Sequence, residues 1–272
     1  SFVRAPPAAP GEIPAIAARL HSTFVSYWVA DDAVHVWVIG PDGRTRTRTV
    51  NVLRSKLVDL IRSTGQTTGQ KADAGPWREL YNLLIGPVRQ ALPATAGALV
   101  TIVPHGPLLN LSFAALQDAR GRYLLEDYTL HYVPAGAVLQ FTAGKRRSDA
   151  RTSHLLLVPD PALPPGSRPR RALPPLPGAR SEAGAIARLV SRDRVTMLAD
   201  KAAAESAVRS GAAGKAVLHF ATHAVVRDDD PFGSFLALAA AGRGPPGDGL
   251  PTAQEIYGLD LRADLVVLSA CR

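Results

Sequence analysis

The chain has 272 residues, enough to bury one large core or two smaller ones, and its 46% hydrophobic and 20% charged residues are typical of a soluble globular protein. Its formal net charge is +8, but the basic residues are spread along the chain without interleaved aromatic side chains, so nucleic-acid binding is not indicated. A single cysteine excludes an intrachain disulfide and favours a reducing, cytoplasmic location.

Residues 1–20 open without Met and without a signal peptide, and we interpret them as a leader or linker of a longer protein. Residues 21–148 are predicted to form a first α/β half. Within it we expect an antiparallel meander in FVSYWVADDAVHVWVIGPDGRTRTRTV, helices in NVLRSKLVDLIRS and PWRELYNLLIGPVRQAL (the second kinked at Gly86-Pro87), a buried parallel strand in ALVTIVPHG and a strand pair in YLLEDYTLHYVP.

One uncharged stretch of this half, Ala91 to Gln117, has the length of a membrane span. Pro93, Pro104 and Pro107 interrupt it, and proline breaks the interior of a helix. A strand, a loop and a helix are therefore predicted there, and no membrane contact is expected.

Residues 149–272 are predicted to form a second α/β half. Strands are expected in HLLLVPDP, VTML, AVLHFATHAVV and ADLVVLSAC, and helices in ARSEAGAIARLVSR, KAAAESAVRSG and DGLPTAQEIYGLDL. Because strands alternate with helices, the predicted fold class is α/β, with a mainly parallel sheet flanked by helices.

A histidine and the only cysteine come at the ends of two of these strands. His223 ends the strand in AVLHFATHAVV and Cys271 ends the strand in ADLVVLSAC. Reacting groups gather at the carboxyl ends of parallel strands, so neighbouring strands would bring imidazole and thiol together. A cysteine attacks as the thiolate, which a nearby histidine supplies by pairing with the sulfur or by taking its proton.

Structural interpretations of the same residues stay open at this point. Cys271 also fits a small buried core residue. His219, His223 and Cys271 are types that bind zinc, but the β-branched neighbours favour a strand over the helix that this histidine spacing needs. His219 lies deeper in the strand and is predicted to be a hydrogen-bonded core residue. His105 also follows a strand, in a half without cysteine.

Several longer motifs carry a family resemblance. They are LLVPDP, LPGARSEAGAIARL, AVLHFATHAVVRDDDPFGSFLAL and DGLPTAQEIYGLDLRADLVVLSAC, preceded by YWVADDAVHVWVIG, ELYNLLIGPV and LVTIVPHGPLLNLSFAALQDARGRYLLEDYTLHYVPAG. Over residues 22–272 the chain resembles the CHAT family, caspase-like domains often joined to TPR repeats. The resemblance implies a cysteine peptidase of the caspase and separase type, with His223 as catalytic histidine and Cys271 as nucleophile.

The resemblance also assigns the remaining parts. The first half would be caspase-like but non-catalytic, with His105 in a structural turn. Backbone N–H groups of Cys271 and Ala224 are the expected oxyanion donors, although the family usually has glycine where this chain has Ala224. The family continues beyond its cysteine, so we expect a further segment or separate C-terminal fragment to complete the domain after Arg272.

Acidic residues near the strand ends have two interpretations. On the first, they are solvated residues of a loop and of the beginning of a strand. On the second, one of them receives the basic P1 side chain of a substrate. These residues are Asp228, Asp229, Asp230 and Asp264.

The function predicted from the resemblance is a cysteine endopeptidase that cuts a protein substrate through an acyl-enzyme, in regulated bacterial signalling or defence. A TPR or other sensor segment is the expected regulatory partner, and no metal or organic cofactor is expected. The alternative is a pseudo-protease scaffold that binds a protein partner without cutting it.

Overall fold

The computed structural model describes residues 11–65, 74–142, 153–163, 173–227, 229–241 and 247–270. The chain divides into two compact units, Ser1–Lys145 and Arg146–Arg272. No helix within the described ranges is long and apolar enough to cross a membrane.

Unit 1 is built on a five-stranded mixed sheet in the order β3-β2-β1-β4-β5. Its strands are β1 (Thr23–Val29), β2 (Ala33–Ile39), β3 (Thr45–Asn51), β4 (Ala98–Val103) and β5 (Tyr128–Tyr132). Its helices are α1 (Glu12–Leu20), α2 (Arg54–Thr64), α3 (Gly75–Leu84), α4 (Leu124–Asp127) and α5 (Leu139–Thr142). The antiparallel meander β1–β3 is confirmed, and β4 and β5 run parallel to β1 and to each other.

The core of unit 1 follows from the alternation along its strands. Every second side chain of β1 and β2 packs with the apolar stripes of α2 and α3, where Leu57, Leu80 and Leu84 are fully buried. The predicted kink is a change of helix type: α3 ends at Leu84, and a 3₁₀ turn, Gly86–Ala91, comes after it, because Pro87 has no N–H to continue the α-helical bonds.

Two predictions for unit 1 need correction. YLLEDYTLHYVP is not a strand pair, because α4 occupies its first part and only β5 is extended. Glu126 Oε1 accepts the backbone N–H of Tyr123 at 2.8 Å, a helix-starting contact that competes with strand pairing. In Ala91–Gln117 the strand is confirmed, while the expected helix is a pair of 3₁₀ turns, Gly106–Asn110 and Phe113–Ala115.

Unit 2 contains a four-stranded sheet in the order β11-β8-β6-β7, in which all neighbours are parallel. Its strands are β6 (Leu155–Pro159), β7 (Val195–Met197), β8 (Val217–Ala221), β9 (Ala224–Val225), β10 (Phe235–Leu236) and β11 (Leu265–Leu268). Its helices are α6 (Pro177–Ala187), α7 (Glu205–Ala212) and α8 (Ala253–Tyr257). β9 and β10 form a small antiparallel pair apart from the main sheet. The predicted α/β class, with helices flanking a parallel-rich sheet, is confirmed.

The two faces of this sheet bury different residues. Leu155, Leu157 and Val217 pack on the α6 side with Ala183, whereas Leu156 and the other buried even-numbered residues of β6 and β8 pack on the α7 side. β11 is at one end of the described order, and its side chains Leu265, Val266 and Leu268 remain exposed.

Candidate active site

The carboxyl ends of the four parallel strands are connected by one short stretch of chain. We call residues 174–182, which lead into α6 and form its first turns, the α6 start segment. It contacts Asp160 after β6, Asp200 after β7, His223 after β8 and Ser269 after β11. Side chains from all four strand ends are therefore organised around the beginning of one helix.

His223 lies two residues beyond β8, at the edge predicted from the sequence. Its backbone carbonyl accepts the N–H of Ala237 at 2.8 Å, which fixes the turn out of the strand. Its side-chain Nε2 lies 2.7 Å from the carbonyl oxygen of Pro174. A carbonyl only accepts, so this bond requires the ring proton on Nε2 and leaves the lone pair of the neutral ring on Nδ1. His223 can therefore accept a proton without losing this bond.

β8 and β11, the strands that lead to His223 and Cys271, are parallel neighbours. Leu268 is the register partner of Phe220, and the N–H of Ser269 donates to the Phe220 carbonyl at 2.8 Å. By sequence count, His223 and Cys271 each come three residues after that pair. Cys271 lies outside the described residues, so its distance to His223 stays a prediction.

His219 is a core residue, as predicted, with only 5% of its surface exposed. Its Nε2 lies 3.2 Å from Oε1 of Glu182, yet the direction of the ring N–H does not meet hydrogen-bond geometry, so Nε2 has no hydrogen-bond partner among the described residues. The hydrogen bond predicted for His219 is therefore not made at Nε2. A buried polar atom left in this state costs about 1–3 kcal/mol.

The two histidines of the zinc interpretation are not placed as that interpretation assumed. β8 ends at Ala221, so His219 is inside the strand and His223 is in the turn beyond it, and the two do not share one straight strand. Throughout the ranges that the structure describes, no group of three His, Cys, Asp or Glu side chains is arranged to hold a metal ion.

An ion-pair cluster at the ends of β6 and β7 was not predicted from the sequence. Asp160 accepts the Leu176 N–H through Oδ1 and Arg180 Nε through Oδ2, each at 3.0 Å. Arg180 also donates through Nη1 to Asp200 Oδ2 at 3.0 Å and pairs with the second oxygen of Asp200. Hydrogen bonding to Arg180 holds the pKa of the Asp200 carboxyl below its ordinary value. The cluster borders a cavity of about 360 Å³ whose wall includes Pro174.

Ala224, the expected oxyanion donor that replaces a glycine, begins β9. Positive φ among the described non-glycine residues occurs at His21, Asp160 and Asp200, and therefore not at Ala224. A Cβ is accommodated there without left-handed backbone strain, so alanine can present its N–H as glycine would.

The acidic residues offered as P1 contacts are placed differently from one another. Arg227 pairs with Asp229 at 3.7 Å and with Asp230 at 3.1 Å, and Asp230 also accepts the Gly233 N–H. Asp228 lies outside the described residues. Asp264 precedes β11 at the amino end of the sheet, roughly 16 Å along the strand from Ser269 at 3.3 Å per residue. The structure thus separates Asp264 from the strand ends that carry His223, and a P1 role for the loop acids stays a prediction.

His105, in unit 1, has its ring fixed on both sides. Nδ1 accepts the Val29 N–H at 3.1 Å, and the ring stacks on Trp28 with centroids 4.1 Å apart. These contacts agree with the structural turn expected for His105.

The parallel sheet of unit 2, flanked by helices, is consistent with a caspase-like fold. A family model described as "CHAT domain" matches residues 75–272, more than half of the chain, and the chain belongs to this family, which is caspase-like and peptidase-related. The match begins with α3, so β1, β2 and β3 lie outside it. No curated protein matches the chain.

Proposed function

We propose that unit 2 is a caspase-like cysteine endopeptidase with a Cys271–His223 dyad. The observation that supports this most is the bond from His223 Nε2 to the Pro174 carbonyl, because it orients the ring and leaves Nδ1 as the basic atom. The parallel pairing of β8 with β11 supports it further, since it directs both chain segments to one sheet edge.

The proposed reaction begins with transfer of the Cys271 thiol proton to His223 Nδ1. The thiolate attacks the scissile carbonyl, and the oxyanion is held by the N–H groups of Cys271 and Ala224. The C–N bond then breaks as the protonated His223 gives its proton to the leaving amine. Water, deprotonated by the same ring, hydrolyses the thioester and restores the free thiol. Each proton that His223 accepts, it returns, so the cycle needs no cofactor.

Throughout the cycle the Pro174 carbonyl would stabilise the charged ring. A protonated His223 keeps its bond to this carbonyl, which then accepts from a cationic donor, and such charge-assisted bonds are the stronger ones. The α6 start segment thereby contributes a backbone atom, instead of a side chain, to the proposed proton transfer.

The biological setting is proposed from the family alone. The substrate would be a protein, and the cleavage would serve regulated signalling or defence in the bacterial cytoplasm. A TPR or other sensor segment would control it.

Alkylation of the single cysteine tests the dyad without a known substrate. Iodoacetamide is added across pH 5–10, and the modified peptide that contains Cys271 is quantified by mass spectrometry. We expect rapid alkylation of the wild type well below the ordinary thiol pKa of about 8.5, and a return to that ordinary profile in His223→Ala. His105→Ala is the matched control and should keep the wild-type profile. An ordinary or slow profile in the wild type would reject the peptidase and leave the binding scaffold.

A further inference from the structure

Three polar side chains on the α6 side of the unit 2 sheet take no part in the reaction proposed above. Glu182 lies on α6, His219 on β8 and Ser269 immediately after β11. Ser269 Oγ donates to Glu182 Oε2 at 3.2 Å, and His219 Nε2 lies 3.2 Å from Glu182 Oε1. One carboxylate therefore faces two neighbouring strands with its two oxygens.

Burial makes the His219 side of this group informative. The His219 ring is more than nine-tenths buried, its Nε2 lacks a hydrogen-bond partner in the described residues, and that atom faces Glu182. A carboxylate is an acceptor with room for several donors, and Glu182 places Oε1 within 3.2 Å of this unsatisfied atom while Oε2 holds Ser269. Without Glu182 the buried imidazole would also lose this nearby acceptor.

The Ser269 side connects the group to the proposed nucleophile. The Ser269 N–H is bonded to Phe220 on β8, and its hydroxyl is bonded to Glu182 on α6, so this residue is held from two directions. Cys271 comes two residues later. β11 has exposed side chains at three of its four positions, so packing alone gives this strand little hold.

We propose that Glu182 is a positioning residue that holds the carboxyl end of β11 beside β8 through the bond from Ser269, with His219 of β8 within 3.2 Å of the same carboxylate. This rests on the proposed function for its catalytic consequence, since Cys271 would reach His223 only when the end of β11 is held. In this proposal Glu182, Ser269 and His219 hold the strand that leads to Cys271, and none of the three contacts the substrate.

The test compares Glu182→Gln and Ser269→Ala with matched controls in the full chain. Glu205→Gln is the control for the first, because Glu205 is a buried glutamate of the same unit, paired with Arg209 on the α7 side of the sheet. Ser234→Ala is the control for the second, because Ser234 accepts the Arg227 N–H away from β11. Ser269→Thr keeps the hydroxyl and serves as the rescue.

Two readouts are measured on each variant: amide hydrogen exchange at residue 269, relative to the intrinsic rate of the residue present there, and kcat and KM on a peptide cleaved from a proteome-derived library. Ser269→Ala should speed the exchange about tenfold and lower kcat about tenfold with KM little changed, because the hydrogen bond to a charged acceptor is lost. Glu182→Gln should change both readouts in the same direction by about threefold, because a neutral amide oxygen replaces the charged acceptor. The controls and Ser269→Thr should stay near the wild type in both readouts.

Wild-type exchange and wild-type kcat in Glu182→Gln would overturn the proposal, as would an equal loss in Glu205→Gln. If Glu182→Gln does not fold, Ser269→Ala decides, since it removes only a hydroxyl from an exposed position. If the wild type cleaves nothing, the proposed function fails, and the exchange of Ser269 alone decides whether Glu182 holds β11.

Discussion

Each unit carries a histidine two residues beyond a parallel strand, but the two rings are bonded in opposite senses. His105 comes after β4 and accepts a backbone N–H through Nδ1. His223 comes after β8 and donates to a backbone carbonyl through Nε2. A neutral imidazole has one N–H and one lone pair, so His105 has used its lone pair and His223 has used its N–H. Position at a strand end therefore does not decide whether a ring nitrogen is free to accept a proton, whereas the hydrogen-bond partner of the ring does.

The largest expected effect concerns catalysis. His223→Ala should lower kcat on library peptides by about 10²–10⁴-fold, the usual contribution of general acid–base catalysis, because Nδ1 is the proposed base. His105→Ala should lower it less than twofold, since its lone pair is occupied and its unit has no cysteine. Equal losses in the two variants would show that the difference in hydrogen bonding has no functional meaning.

Stability should show the reverse order. His105→Ala removes the bond to Val29 and the stacking on Trp28, and should lower the free energy of unfolding of unit 1 by about 1–2 kcal/mol. Urea unfolding followed by tryptophan fluorescence measures this directly, because all three tryptophans, Trp28, Trp37 and Trp77, belong to unit 1. His223→Ala should leave the fluorescence midpoint unchanged, and a shift as large as that of His105→Ala would contradict the separation of roles.

Alkaline pH should affect unit 1 through Tyr27. Burial raises the pKa of Tyr27 far above its ordinary value, and its hydroxyl donates to the Leu84 carbonyl at 3.1 Å. Because the folded pKa exceeds the unfolded value near 10, this contribution to stability is complete below pH 10 and is lost as pH rises toward the folded pKa, by up to about 1.4 kcal/mol per pH unit. Tryptophan-detected urea midpoints between pH 9 and 11 should therefore fall, and fall less in Tyr27→Phe.

The smallest expected effect compares two aspartates with lowered pKa values. The pKa of Asp200 in unit 2 is lowered chiefly by hydrogen bonding to the Arg180 side chain. The pKa of Asp118 in unit 1 is lowered chiefly by its hydrogen bond from the Arg122 backbone N–H. Each carboxylate favours the fold above its unfolded pKa, and the benefit is lost as pH falls through the folded pKa. Carboxyl-carbon NMR titration should show Asp200 returning toward its ordinary pKa in Arg180→Gln. The pKa of Asp118 should stay below its ordinary value in Arg122→Gln, since that variant keeps the backbone N–H.

The sequence predicted the features that periodicity and turn residues control. The alternating meander, the amphipathic helices and the apolar parallel strands all appear near their predicted positions. Its errors came from local side-chain bonds that periodicity does not contain, as when Glu126 caps α4 in place of a strand. The location of His223 at a strand end was predictable, because such ends collect functional groups.

The chemistry around His223 was less accessible. The bond to Pro174 spans 49 residues, and that from Ser269 to Glu182 spans 87, so no sequence window contains both partners. Such partners decide which ring nitrogen carries the proton. They also decide whether a buried imidazole such as His219 has its hydrogen bonds satisfied. These properties can be assigned only once the tertiary contacts are known.

The α6 start segment has a consequence for how the sequence can change. Gly178, within it, has open space around the position of a Cβ, so substitutions there should be tolerated. A one-residue insertion after it would be another matter, since each added helical residue rotates the rest of the helix by about 100° and moves it about 1.5 Å. Arg180 and Glu182 would then turn away from Asp160, Asp200 and Ser269 together. The length of this segment is therefore more tightly constrained than its composition, and lineages that keep the site should vary here by replacement and not by insertion or deletion.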